Sequence, residues 1–192
     1  MAIRLIGNWK EGYAIDNHSI SSIYLGEDIN GRPMFDTKRS EIGELIYQLK
    51  YQKNRNIVSE IMEYVKPVLD QWNIAARLDI IIPIPPTDSN RTFQPVFLIA
   101  EAIANYLGLP MSTKVLNKLT QQQLKNVSIE NKLDAIHGSI TKEKKFKRNV
   151  NILLVDDLYD SGATLNEAVN VLKTDTNVKE VHVLVMTKTR GR

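Results

Sequence analysis

Three short, mainly apolar runs constrain the fold of this chain more than any other feature. They are LDIIIPI at 78–84, VNILLV at 150–155 and VHVLVMT at 181–187. Such runs are typical of strands that are buried on both faces of a parallel sheet. Helical periodicity over 96–107 and 164–173 separates them, so the alternation predicts a doubly wound, mainly parallel α/β sheet.

The first 50 residues follow a different pattern. ISSIYLG and PMF flank the segment EDINGR, whose Asn30-Gly31 pair is a strong hairpin signal. Apolar residues then share a face over 42–49 and again over 57–69, which predicts two helices, and Pro67 is expected to end the second. We predict an N-terminal strand and hairpin hood with the first helix at 1–50, and a core at 51–192. STKVL, at 112–116, is a further strand candidate.

Composition excludes several kinds of site. None of the 192 residues is a cysteine, which excludes disulfides and cysteine zinc sites, and the three histidines have no metal-binding spacing. The net charge of +3 suits a small anionic ligand better than nucleic acid, for which a clustered basic surface is expected. No apolar run is long enough for a membrane helix or a signal peptide, so we expect a cytoplasmic protein without a membrane partner.

The segment VDDLYDSGATL, at 155–165, carries the strongest functional signal. Asp156 and Asp157 end a buried strand, and open α/β sheets bind ligands beyond the carboxyl ends of their strands. The next helix begins near 161–164, where free N–H groups and the helix dipole favour a phosphate. Gly162 allows positive φ and a close approach. Because carboxylates repel phosphate, the two acids are expected to face sugar hydroxyls or Mg²⁺.

The spacing alone leaves other interpretations open. Acids also end a buried strand in nucleotide hydrolases, although the GxxxxGK[ST] motif that such enzymes require is absent. They could form the phospho-accepting pocket of a receiver-like domain, but the second half of the motif would then have no role. Asp160 or Ser161 could simply cap the helix.

LLVDDLYDSGATL resembles the phosphoribosyl pyrophosphate (PRPP) binding motif of type I phosphoribosyltransferases. The chain also resembles the ComF-like branch of that family, which is associated with natural competence and DNA uptake. The similar segments are TKRSEIGELIYQLKYQ at 37–52, IIPIPPTDSNRTFQPVFLIAEAIA at 81–104 and LTQQQLKNVSIENKLDAIHGSI at 119–140. The resemblance implies the type I fold, with 51–192 as its core.

The resemblance implies a role for each part of the site. Asp156 and Asp157 would hold the ribose hydroxyls, directly or through Mg²⁺. Five residues would bind the 5-phosphate: Asp160, Ser161, Gly162, Ala163 and Thr164. The pyrophosphate loop, often strained or cis in this family, would comprise Ile84, Pro85, Pro86, Thr87 and Arg91. Residues 118–131 would close over the site and exclude water. On their own, these prolines could merely end a strand, Arg91 could be a surface residue and the loop a connector.

The chain departs from the family in three places. ComF-like proteins usually begin with a four-cysteine zinc module, whose absence here puts any attached DNA-binding role in doubt. Asp160-Ser161-Gly162 stands where the branch usually has Thr-Thr-Gly. An acid there is typical of the 6-oxopurine transferases, in which it acts as a base toward the purine. Thr92 replaces the glycine of an Arg-Gly-Phe element.

The implied reaction transfers the 5-phosphoribosyl group of PRPP to a nitrogen acceptor, a nucleobase or an amine, with release of Mg-pyrophosphate. Mg²⁺ is the implied cofactor, and Asp160 is the candidate general base. Two alternatives remain: a non-catalytic PRPP-sensing regulator, and a ComF-like protein of DNA uptake.

Two other features bear on partners. The basic run TKEKKFKRN, at 141–149, could contact nucleic acid, but such runs are more often solvated loops, so nucleic acid is not favoured. Asp16, His18 and Ser22 crowd one short stretch and could help to select the acceptor, although a polar strand face explains them more simply. The sequence leaves the oligomeric state open, with a homodimer as one candidate because dimers are common in this fold family.

Overall fold

The central sheet of the protein has five strands, four of them parallel. The computed structural model describes residues 2–86, 93–119 and 139–190. The sheet strands are β1 (Ile3–Arg4), β2 (Gly12–Asn17), β5 (Ile80–Pro83), β8 (Val150–Tyr159) and β9 (Val178–Lys188), in the order β1–β2–β9–β8–β5. Only β1 runs antiparallel to its neighbour. The predicted mainly parallel sheet is therefore confirmed.

Two small antiparallel pairs and four α-helices complete the described chain. The pairs are β3 (Ser19–Glu27) with β4 (Pro33–Arg39), and β6 (Leu116–Lys118) with β7 (Ile140–Lys142). The helices are α1 (Glu41–Tyr47), which continues as a π-helical turn (Gln48–Gln52), α2 (Ile57–Trp72), α3 (Pro95–Leu107) and α4 (Ala163–Lys173). A short 3₁₀ turn, Ala75–Arg77, leads into β5. No helix in these ranges is long and apolar enough to cross a membrane.

An apolar core lies on each face of the sheet. Leu153 and Val155 of β8 point into the core formed with α1, α2 and α3, whereas Ile152 and Leu154 point into the core formed with α4. This alternation is the pleat of a strand covered on both sides, and it explains why residues 152–155 of β8 are all apolar. Helices on both faces make the sheet doubly wound, as predicted.

The predicted hairpin is present as β3 and β4. Its turn is closed by a hydrogen bond from Asp28 N to Arg32 O at 2.8 Å, and Gly31 has a φ of 72°. Most of its large apolar side chains are exposed, among them Tyr24 and Phe35, whose rings are in contact. β1 and β2 pair within the central sheet instead, so of the N-terminal strands only those of the hairpin lie outside it. The division at residue 50 stays a prediction.

Two expectations about element bounds are wrong. α2 does not end near Pro67 but continues to Trp72, because Leu69 is buried and Trp72 packs on Tyr13. The candidate strand at 112–116 is displaced, since β6 begins only at Leu116. Before Leu116, the chain makes a single parallel bridge to β5 and then bends. Regular strand pairing therefore begins further along the chain than predicted.

Candidate functional site

The acid pair of the motif lies at the carboxyl end of the central strand β8. Asp156 is paired with Val185 of β9, and both aspartates are partly buried, following the fully buried Val155. The hydroxyl of Thr187, on β9, donates to the backbone oxygen of Asp157 at 3.1 Å. The structure therefore places the two carboxylates where ligands bind in an open α/β sheet.

The surroundings of Asp156 disfavour the charged form of its carboxyl group. Burial, together with the nearby negative charge of Asp157, raises the pKa of Asp156 from 3.8 to about 7. The backbone N–H of Asp157 donates to Asp156 Oδ1 at 2.8 Å and acts in the opposite direction. Two adjacent carboxylates of this kind favour a partner that supplies hydroxyl donors or positive charge.

A lysine from the N-terminal part of the chain already supplies positive charge. Lys50 Nζ donates to Asp157 Oδ1 at 2.8 Å, across 107 positions of sequence. Sequence reasoning assigned no role to this residue. The available signal was the similarity of segment 37–52 to the ComF-like branch, which indicates that the segment matters but not which side chain reaches the site.

The phosphate half of the motif forms the start of α4. Gly162 precedes the helix with a φ of 78°, as its predicted freedom requires, and the first-turn N–H groups that begin at Ala163 have no intrahelical acceptors. Ser161 Oγ accepts from Ala163 N at 3.4 Å, and Thr164 lies within the first turn. The structure thus brings four of the five candidate phosphate residues, 161–164, together at one helix N-terminus.

Asp160 is exposed between the acid pair and this helix. Its Oδ1 accepts a hydrogen bond from Thr189 Oγ1 at 2.8 Å, and Thr189 N donates to Tyr159 O at 2.8 Å. The carboxylate is therefore tied to the chain that follows β9, rather than to the N–H groups of α4. This geometry does not match a simple helix cap.

Two aromatic residues that sequence reasoning missed support the loop. The ring of Tyr159 lies directly beneath Gly162, and the ring of Trp9 meets it edge-on with centroids 6.4 Å apart. Trp9 is buried and packs closely against Gly7 and Gly12 at the start of the chain. No local pattern links residue 9 to residue 159, so only the fold reveals this support.

Of the three polar residues crowded near position 18, one lies beside the acid pair. His18 Nδ1 is 3.1 Å from Thr187 Oγ1, and because that hydroxyl donates to Asp157 O, the ring nitrogen must be the donor. Burial, then Lys50 and Arg39, lowers the pKa of His18. Asp16 and Ser22 are exposed and bond elsewhere, to Asn17 N and to the Thr37 hydroxyl. The three do not form one cluster.

The predicted pyrophosphate loop is described only in part. Ile84 and Pro85 are buried, and Ile84 N donates to Val155 O at 2.8 Å, which holds the loop beside β8. No cis peptide bond occurs within the described ranges. Thr87 and Arg91 lie outside them, as does the predicted lid beyond Leu119.

One member of the basic run is structural. Lys142 donates to Asp175 Oδ2 at 2.5 Å, and both side chains are nearly inaccessible. Phe146 N donates to the same oxygen at 2.9 Å. These contacts account for Lys142 without a nucleic acid.

A metal at this site would need oxygens from a ligand as well as from the protein. Among the residues described, no group of three or more His, Cys, Asp or Glu side chains could hold a metal by itself. Mg²⁺ commonly binds one or two carboxylates together with water and substrate oxygens. Asp156 and Asp157 supply that kind of donor set.

Comparisons with known proteins agree with this geometry. A family model described as the phosphoribosyl transferase domain matches residues 96–192. A crystal structure of adenine phosphoribosyltransferase is 13% identical, with 88% of this chain and 86% of that one covered, at a TM-score of 0.50. This similarity shows the fold. No curated protein sequence matches the chain.

Two further solved structures are more distant in shape. The adenine phosphoribosyltransferase of Saccharomyces cerevisiae, in complex with an imino-altritol bisphosphate and adenine, is 12% identical, covers 88% of this chain and 84% of its own, and has a TM-score of 0.47. The orotate phosphoribosyltransferase of Aeropyrum pernix is 14% identical, with coverages of 86% and 75% and a TM-score of 0.45.

Proposed function

This chain belongs to the type I phosphoribosyltransferases, the family of the phosphoribosyl transferase domain, and we propose that it transfers the 5-phosphoribosyl group of PRPP to a nitrogen acceptor. One observation carries the proposal. The acid pair lies near the carboxyl end of β8, which ends at Tyr159, and six residues after Asp156 the chain turns at Gly162 into a helix N-terminus. Carboxylates suited to ribose hydroxyls and N–H groups suited to a phosphate thus follow each other on one stretch of chain, which supports a ribose 5-phosphate as the ligand.

The residues divide the ligand between them. Asp156 and Asp157 bind the ribose hydroxyls, and the segment from Asp160 to Thr164 binds the 5-phosphate. The five residues proposed for the pyrophosphate are Ile84, Pro85, Pro86, Thr87 and Arg91. Bound with PRPP at the acid pair, Mg²⁺ would neutralise charge on the departing pyrophosphate.

The reaction is a displacement at the anomeric carbon of the ribose. The bond from that carbon to the pyrophosphate oxygen breaks, a bond to the acceptor nitrogen forms, and pyrophosphate leaves with the bonding electrons. Positive charge develops on the ribose ring in between, so the nearby carboxylates stabilise the transition state. Holding the phosphate and the ribose in fixed positions supplies most of the remaining rate enhancement.

Asp160 is the proposed general base that takes the proton of the acceptor nitrogen. It is exposed next to the phosphate loop, and its hydrogen bond from Thr189 holds the carboxylate in one orientation. A general base contributes roughly 10²–10⁴ in rate. Asp160→Asn should therefore keep PRPP binding and lose turnover by about that factor; unchanged turnover would remove Asp160 from this role.

The decisive experiment measures pyrophosphate release. The protein is incubated with PRPP, Mg²⁺ and each of a panel of nucleobases and amines in turn. The double variant Asp156→Asn/Asp157→Asn serves as the inactive control. Release with one acceptor identifies the substrate class. PRPP binding without release for any acceptor favours a PRPP-sensing regulator, and the absence of PRPP binding contradicts the proposal.

Membership of the ComF-like branch is a second, narrower proposal. It is supported by the similarity of segment 37–52, from which Lys50 reaches the acid pair. A role in DNA uptake predicts DNA binding that weakens steeply with salt. Titrating a labelled single strand at two salt concentrations tests that role, and size-exclusion chromatography with light scattering measures whether the protein is a monomer or a homodimer.

A further inference from the structure

The ion pair between Lys50 and Asp157 joins the N-terminal segment to the centre of the site. The N···O distance is 2.8 Å, and only 27% of the lysine side chain and 17% of the aspartate side chain are exposed. An ion pair on an open surface contributes little and is easily replaced by water. This one is partly shielded and involves an acid of the proposed ribose site, so it bears on what can bind there.

Local structure delivers Lys50 to this position. The α1 helix widens into the π-helical turn Gln48–Gln52, in which the neighbouring Leu49 is fully buried and fixes the turn against the core. Lys53 then ends the turn with a φ of 54°. Such π-helical turns are rare and frequently occur at functional sites. The fold thus fixes the backbone of Lys50 at a position from which its ammonium group reaches Asp157.

An ammonium group on Asp157 occupies a place that a divalent cation would otherwise take. Mg²⁺ binds through one or two carboxylates, and Asp156 and Asp157 are consecutive residues near this end of β8. A lysine charge at 2.8 Å from one of these carboxylates both blocks an oxygen and repels a second cation.

We propose that Lys50 is a resident counter-ion of the acid pair, which keeps free divalent cations out and gives up the Asp157 carboxylate only when ligand oxygens arrive. Lys50 then acts as a positioning residue: it holds Asp157 in place before binding, and its three N–H donors can move to oxygens of the incoming ligand. The identity of that ligand rests on the proposed function, whereas the exclusion of free metal does not.

The test measures binding of Mn²⁺ alone, without PRPP, by electron paramagnetic resonance. We expect Lys50→Met to bind Mn²⁺ at least about tenfold more tightly than the unchanged protein, because one positive charge close to the pair has been removed. Lys50→Arg keeps the charge and should bind Mn²⁺ as weakly as the unchanged protein. The double variant Lys50→Met/Asp157→Asn should lose the gain, which locates the metal at the pair.

A matched control separates this effect from net charge. Lys66→Met removes an equal charge from an exposed ion pair with Glu63 on α2, at 2.9 Å, and should leave Mn²⁺ binding unchanged. Lys50→Gln replaces Lys50→Met if the latter does not fold, as judged by urea unfolding. A merely structural salt bridge predicts loss of stability in Lys50→Met without a gain in Mn²⁺ affinity, and that result overturns the inference.

The outcome is independent of the transfer reaction. If the protein fails to bind PRPP but Lys50→Met gains Mn²⁺ affinity, the proposed function fails and the counter-ion role stands. If PRPP binds and turns over but no variant gains Mn²⁺ affinity, only the counter-ion role is contradicted. In an active enzyme, Lys50→Met should also raise KM for PRPP while Lys50→Arg restores it.

Discussion

Gly162 lies so close to Tyr159 that a side chain at residue 162 would collide with the aromatic ring. A Cβ placed on Gly162 would be 2.7 Å from the Tyr159 hydroxyl oxygen and 2.9 Å from the ring. The same glycine has a φ of 78°, in the left-handed region. The glycine is therefore required both by the turn and by the ring that supports it.

We predict that Gly162→Ala weakens binding of phosphate-bearing ligands at least about tenfold. The left-handed conformation costs an L-residue about 1–2 kcal/mol, and the new methyl group must also displace Tyr159 from Trp9. The N–H groups of the first turn of α4 would move with the loop. Calorimetric titration with PRPP, together with urea unfolding, measures both effects.

Gly108→Ala is the matched control for this prediction. Gly108 ends α3 with a φ of 66°, but no atom lies within 4 Å of the position of its Cβ. Its substitution should cost only the conformational term, about 1–2 kcal/mol, and leave ligand binding intact. In addition, Tyr159→Leu should restore part of the binding lost in Gly162→Ala. Equal effects of the two alanine variants on binding would contradict the role of the ring contact.

Stability should depend on pH through Asp156. Its pKa is about 7 in the folded protein and near 3.8 when unfolded, so the folded state binds more protons between these values. The free energy of unfolding is therefore highest, as far as this group is concerned, below about pH 4. This contribution is lost as the pH rises through 7. We expect Asp156→Asn to raise the free energy of unfolding at pH 8 by about 1–2 kcal/mol, less than the full shift implies because the carboxyl is partly accessible.

Urea unfolding at pH 5 and pH 8 checks this expectation. The gain from Asp156→Asn should be larger at pH 8, where the carboxylate of the unchanged protein is ionised. Asp36→Asn, on the exposed strand β4, makes the same chemical change outside the site and should give no such difference. A gain that is equal at both pH values would show that burial of charge at Asp156 is not its cause.

The elements predicted correctly are those with a local signature. β5, β8 and β9 are buried on both faces, which leaves apolar runs in the sequence, and the turn at Asn30-Gly31 needs a residue that accepts positive φ. The end of α2 was not predictable in this way. Pro67 signals a helix end, but tertiary packing of Trp72 on Tyr13 overrides that local preference.

The same distinction applies to the site. Asp156, Asp157, Asp160 and Gly162 lie within seven positions of one another, so their spacing favoured a ligand site while leaving other interpretations open. Lys50 comes to the acid pair from 107 positions away, and nothing in its local sequence specifies that distance. Contacts of this kind arise only when separate elements pack, so they were found in the fold and not in the motif.

Thr189 should influence turnover through Asp160. Its hydroxyl donates to Asp160 Oδ1 at 2.8 Å, and a hydrogen bond of this kind contributes about 0.5–1.5 kcal/mol. If Asp160 is the general base, Thr189→Val should lower kcat by roughly twofold to tenfold and leave PRPP affinity unchanged. Thr189→Ser keeps the hydroxyl and should turn over at close to the original rate. A similar loss in both variants would point to packing of the methyl group instead.

Resistance to acid should depend on Asp175. Lys142 is the first cause of its low pKa, about 2, and the N–H of Phe146 adds to the effect. Because the folded pKa is below the unfolded value of 3.8, the stability from this carboxylate is present above about pH 4 and is lost as the pH falls through 2.

We therefore expect Asp175→Asn to flatten the fall in the urea midpoint between pH 4.5 and pH 2.5. Lys142→Met should lower the midpoint at pH 7, since it leaves a buried carboxylate without its cation. Lys66→Met removes the same group from an exposed pair and should have little effect. The two lysine variants separate a buried contact from a surface one. Equal midpoints for both would mean that the Lys142 ion pair does not stabilise the junction between β7 and α4.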